Sequence, residues 1–122
     1  MPRPLLLILM LGYLSYGFSQ GPCTCGVTDV GVGSSFVVHG KLKSWNGAPT
    51  LRISVLGTNR ILGVHGNSPI PKNLEPFVES SETQVVGDFV VCPLTKSRPG
   101  WMQIVCIKSA SSLRAIKAPE AQ

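Results

Sequence analysis

The sequence predicts a small all-β domain: a Greek-key barrel of five to six strands with one short helix, stapled by disulfides. Three observations carry this. Glycine and proline are abundant, 13 and 10 of 122 residues, and strong helix formers are sparse, which favours short strands joined by turns. Apolar residues in the best-patterned stretches recur with a period of two. The cysteines number four, Cys23, Cys25, Cys92 and Cys106, an even set suited to cross-linking a domain with a modest core.

The chain starts with a leader. Arg3 is followed by an apolar run, Leu5 to Leu14, broken only by Gly12 and Tyr13, and then by the small-residue stretch Ser15 to Ser19. That is the layout of a secretory signal peptide. Gly17 and Ser19 suit the positions three and one before cleavage, which places the cut before Gln20. A membrane-spanning helix needs ~20 apolar residues, about twice this run. Residues 1–19 are thus expected to be removed, leaving one β-rich domain over 20–118 and a frayed tail over 119–122. Loss of Arg3 lowers the formal charge from +5 to +4.

The first strand is FVVHGKLKSW, residues 36–45. Phe36, Val38, Gly40 and Leu42 fall on one face; Val37, His39, Lys41, Lys43 and Trp45 fall on the other. Asn46-Gly47 follows, a strong short hairpin signal because both residues tolerate positive φ. TLRISVL, residues 50–56, returns. A two-residue turn pairs residues whose numbers sum to 93, so Leu42 meets Leu51, Gly40 meets Ile53, Val38 meets Val55 and Lys41 meets Arg52. The two apolar faces then coincide. Arg60–Val64 is a third strand after the Gly57-Thr58-Asn59 turn. Residues 66–76 are rich in Gly, Asn and Pro and form a loop. Leu74–Ser80 suits one or two helical turns capped by Asn73, with Pro76 in the first turn. Val85–Cys92 is a buried strand interrupted by Gly87, TKSRPG turns the chain, Trp101–Ile107 is the next strand, and Ser112–Ile116 is a candidate last one.

This order, with a helix between the third and fourth strands and Gly40 free to bend the first, matches a five-stranded Greek-key barrel of the OB type. The alternative is a two-sheet sandwich. Val38-x-Gly40-Lys41-Leu42, then Asn46-Gly47-x-Pro49, with Gly87-Asp88-Phe89 later, resembles transthyretin-like and carboxypeptidase-regulatory modules.

The cysteine positions restrict the connectivity. Cys92 and Cys106 are each seven residues from Pro99, so a turn centred there sets them nearly opposite on neighbouring strands. Cys23 and Cys25, if extended, point to the same side, ~6.5–7 Å apart. One bond from each of this pair to one strand cysteine is favoured. A Cys92–Cys106 bond across the hairpin is the alternative. A four-thiolate metal site needs two-to-four-residue spacing within each pair, and the second pair has thirteen intervening residues; no metal or other cofactor is expected.

A C-x-C at the mature start, Cys23-Thr24-Cys25, stapled to later strands of an OB barrel in a small basic exported chain, resembles the netrin-like modules, among them the tissue inhibitors of metalloproteinases. In those inhibitors the amine and carbonyl of the first cysteine chelate the protease zinc, a role that would fall to Cys23. Here the chain departs from the pattern. A start at Gln20 leaves Gln20, Gly21 and Pro22 ahead of Cys23, which then has no free amine.

Enzyme motifs are missing. His39 and His65 are the only histidines and Asp29 and Asp88 the only aspartates; no nucleophile elbow, zinc-protease helix or phosphate loop occurs. A non-enzymatic module is expected. Its candidate ligand face is the polar side of the first hairpin: His39, Lys41, Lys43, Trp45 and Arg52. An aromatic among cations suits an extracellular protein or a polyanion. Two other readings are a structural extracellular protein with no discrete ligand, and a protease-inhibitor-like protein.

Overall fold

A computed structural model describes residues 21–79 and 82–117. The leader, the cut before Gln20, the final residue of the expected helix and the tail lie outside these. The elements are β1 (Thr24–Cys25), β2 (Asp29–Val30), β3 (Phe36–Ser44), β4 (Leu51–Val55), β5 (Ile61–Val64), a 3-10 turn (Lys72–Leu74), α1 (Glu75–Val78), β6 (Thr83–Pro93) and β7 (Gln103–Lys117).

Five strands close into a barrel in the order β3-β4-β5-β7-β6, with β6 returning to β3. The β5–β7 pair is parallel and the other neighbours are antiparallel. The helix sits between the third and fourth barrel strands. This is the OB-like arrangement expected, not a two-sheet sandwich. Alternation does the sorting: along β3, Val38, Gly40 and Leu42 are buried and Val37 and His39 are exposed. Leu42, Ile53, Leu62, Phe89 and Val105, each at most 2% exposed, fill the interior. Each such side chain contributes ~1.5–3 kcal/mol on burial. Leu74, fully buried, comes from the 3-10 turn, and Phe77 and Val78 of α1 pack against the same cluster.

Gly40, expected to let the strand bend, sits at a close approach of the neighbouring strand β4. It pairs with Val55 on one side and Gly87 on the other. A Cβ on Gly40 would lie 2.5 Å from Ile53 Cγ2 and 2.9 Å from the Ser54 carbonyl oxygen.

Several expectations need correction. The β3–β4 register pairs Leu42 with Ile53, Lys43 with Arg52 and Lys41 with Ser54, two residues away from the register of a two-residue turn. The connection is longer: the Trp45 N–H donates to the Thr50 carbonyl at 2.7 Å, enclosing Asn46 to Pro49. Asn73 does not cap α1. Its amide donates to the Ala110 carbonyl at 2.7 Å, and Leu74 holds the cap position without a side-chain bond. The two last strands are one continuous β7, paired with β6 past irregularities at Val86/Asp88 and Val90/Val91. Gly87 therefore marks an irregularity within β6 and does not end it.

The cysteines pair as favoured. Cys92 and Cys106 are direct partners across β6 and β7, and the disulfides are Cys23–Cys92 and Cys25–Cys106, with Cα separations of 5.7 and 6.2 Å. The small β1–β2 ribbon, too short for the alternation to reveal, is thereby fixed to the last two strands. Gly31 lies against the first bond: a Cβ there would overlap Cys92 Sγ and lie 2.7 Å from Cys23 Sγ.

Candidate cation–aromatic surface

The polar side of the first hairpin divides into two parts. Lys43 and Arg52 are cross-strand partners and share one ring. Lys43 Nζ lies 4.8 Å, and Arg52 Cζ 5.3 Å, from the Trp45 ring centroid. Like charges placed opposite one another on a sheet repel. The ring quadrupole offsets part of that, by ~0.5–1 kcal/mol per exposed contact. Arg52 is also oriented by its Nε–H, which donates to the Pro49 carbonyl at 3.0 Å. Trp45, 37% exposed, thus sits between two cations, and with Lys43, Ser44, Asn46 and Thr50 it lines an open cavity of about 530 Å³.

Lys41 and His39 belong to the other part. Lys41 faces Ser54 and Val86, not Arg52. His39 is paired across the sheet with Asp88, its Nδ1 2.8 Å from Asp88 Oδ1. That exposed contact turns His39 toward β6, away from Trp45. The structure therefore gathers Lys43, Trp45 and Arg52 of the five candidate residues.

A second group was not found from sequence. The β6–β7 loop carries Arg98 and Trp101, with Arg98 Cζ 4.8 Å from the Trp101 centroid. Trp101 is 68% exposed and lies two residues before β7, outside the strand it is expected to open. Gly100, at φ +79°, turns the chain so that the Trp101 N–H donates to the Arg98 carbonyl at 3.1 Å. Arg60, hydrogen-bonded to Gln103 Oε1, walls the adjoining cavity of about 500 Å³ with Ile61, Arg98, Trp101 and Met102. The available signal was RPGW, which sets an arginine three residues before a tryptophan around a Pro-Gly turn.

The groups with catalytic chemistry are otherwise engaged. Ser68 Oγ donates to Asp29 Oδ2 at 2.5 Å and lies 3.2 Å from His65 Nδ1. A serine nucleophile needs imidazole as its proton acceptor, with the carboxylate behind the imidazole. Here the hydroxyl proton goes straight to the carboxylate. The cluster braces β2 against the loop after β5. All four cysteines are in disulfides, and among the described residues no three His, Cys, Asp or Glu side chains converge as a metal site. The backbone of Cys23 is engaged as well: its N–H donates to Gly33 O at 3.0 Å, and its carbonyl accepts from Gly31 N–H at 2.7 Å. Among the described residues no helix is long and apolar enough to cross a membrane.

No family model matches the chain, and neither does any curated protein or solved structure.

Proposed function

We propose that this chain is a secreted, non-enzymatic binding module that holds an anionic extracellular glycan on the Lys43–Trp45–Arg52 surface. One observation carries the reading: two cations are kept opposite one another beside a partly exposed ring, and the ion pairs among the described residues involve neither of them. A sulfate or carboxylate placed between them relieves their repulsion and gains two charge-assisted hydrogen bonds. The paired cysteines support an oxidising compartment, where the abundant polyanions are glycans. The inhibitor reading ranks below this one because both backbone groups of Cys23 already have partners within the chain.

Elution from immobilised heparin tests the proposal. The wild-type protein should require well above physiological salt. Lys43→Glu with Arg52→Glu should elute near or below it, with a cooperative melt only slightly below wild type, as expected for loss of the Arg52–Pro49 hydrogen bond. Retention unaffected by the double reversal would reduce the surface to a solvated face and favour a structural protein. N-terminal sequencing of exported material should begin at Gln20; a start at Cys23 would revive the inhibitor reading.

A further inference from the structure

The Trp45 and Trp101 groups lie on one connected surface, and Arg60 beside the second also has its Cζ 5.4 Å from the Phe36 ring centroid. Arg52 of the first group pairs with Gly63 on β5, and Gly63 pairs in turn with Ile104 on β7. The loops bearing the two tryptophans meet over that glycine: a Cβ on Gly63 would lie 2.5 Å from Pro49 Cγ and 2.8 Å from Met102 Sδ. Pro49 belongs to the loop that follows Trp45, and Met102 lines the Arg60–Arg98–Trp101 cavity. Strand directions place the groups on either side of this junction. Trp45 lies two residues beyond the Lys43–Arg52–Gly63 level in the direction of β5, and Arg60 lies three residues behind it. Five residues of strand correspond to ~17 Å.

The segments that supply this line carry charge of one sign along the sequence. Residues 41–64 and 94–117 contain no Asp or Glu, yet they hold Lys41, Lys43, Arg52, Arg60, Lys96, Arg98, Lys108, Arg114 and Lys117, nine of the chain's 11 cationic side chains. The six acids are Asp29, Glu75, Glu79, Glu82, Asp88 and Glu120, all outside these segments. Acid-free segments with Lys43 and Arg52 at one end and Arg60 and Arg98 at the other match an extended anion better than an isolated one.

From this geometry we infer that Arg98 and Trp101, with Arg60, form a second subsite. A single sulfated glycan chain runs from the Trp45 group over Pro49 and Met102, which cover Gly63, to the Trp101 group. The inference rests on the glycan reading of the first group and deepens it. Each ring has cations of its own close by, Lys43 and Arg52 at Trp45 and Arg98 at Trp101. Charge is therefore fixed at both groups, two cations at the first and Arg98 with Arg60 at the second, which suits the spaced sulfates of one glycan chain.

Calorimetry with heparin fragments of two lengths tests this. A disaccharide is too short to touch both groups, and an octasaccharide is long enough. The wild-type protein should bind two disaccharides but one octasaccharide, the latter at least about tenfold more tightly because the second contact becomes intramolecular. Arg98→Glu with Trp101→Ala should bind one disaccharide and lose the length advantage. Lys43→Glu with Arg52→Glu should do the same from the other end. The Arg98/Trp101 variant should melt with wild type, since both are exposed loop residues, and the Lys43/Arg52 variant slightly lower, since it loses the Arg52–Pro49 hydrogen bond. If the wild type binds one disaccharide and the Arg98/Trp101 variant keeps the full length advantage, the second subsite is overturned while the first group stands. Failure of the wild type to bind either fragment overturns both readings. Tighter binding of a single-stranded oligonucleotide of equal charge would replace the glycan with a nucleic acid.

Discussion

Gly40 and Gly31 are both glycines because another group occupies the space of a Cβ, and only one of them was legible. Gly40 interrupts an alternating strand, where a glycine costs β propensity and therefore implies a bend or a close approach. Gly31 lies outside any recognisable pattern, and its neighbours are the sulfurs of a bond between residues 69 apart, so no local signal marks it. Gly40→Ala should destabilise the domain by ~1–3 kcal/mol, in line with overpacking of a close-packed interior, because the Ser54 carbonyl 2.9 Å from the new methyl is backbone and cannot rotate aside. A lowered urea midpoint with an unchanged slope would show this. A midpoint equal to wild type would mean that the barrel tolerates a wider β3–β4 spacing than its geometry implies. Lys43, Trp45 and Arg52 were legible as members of one face, while the contact between them was not, since it depends on a register that side-chain alternation alone does not specify.

Register is the clearest limit at the level of elements. A one-residue slip exchanges the buried and exposed faces of a strand, so the pattern forbids it. A two-residue slip leaves both faces intact, so the pattern is silent on it. That is the size of the error in the β3–β4 hairpin, where the Trp45–Thr50 connection replaced a tight turn at Asn46-Gly47. It moved Arg52 from Lys41 to Lys43 and thereby defined the candidate site. The β6–β7 pairing near the cysteines was predicted correctly because it needed only the centre of the turn: Cys92 and Cys106 are equidistant from Pro99 and are direct partners. Replacing Cys25 and Cys106 together by serine should cost ~2–5 kcal/mol, the usual loss when a small domain gives up a native disulfide closing a long loop. Thermal melting should drop accordingly, and amide exchange should rise first in β1 and β2, whose remaining covalent tie is Cys23–Cys92. Uniform exchange across all strands at wild-type rates would argue that the ribbon is held by its backbone bonds without this staple.

For the molecule as a whole, the barrel brings together what the chain separates. Trp45 and Trp101 are 56 residues apart in sequence (101 − 45), and their loops meet only because β5 runs parallel to β7 next to β4. That crossing is a property of the topology. A strand-by-strand reading found the first tryptophan as a surface residue and treated the second as the start of a strand. If a polyanion lies along this surface, its affinity should follow the number of cations that displace its counterions. The logarithm of the binding constant should fall linearly with the logarithm of salt concentration. Lys43→Ala with Arg52→Ala should reduce that slope by about two, one for each cation removed. Trp45→Ala should behave differently. It removes the ring that holds Lys43 and Arg52 in place but no charge, so affinity should fall at every salt concentration while the slope stays near wild type. Titrations of a fluorescent heparin fragment over a range of salt concentrations separate the two cases. A slope that drops in Trp45→Ala as much as in the double alanine variant would mean that the ring is needed for the cations to reach the ligand at all, and that the surface binds as a preassembled unit.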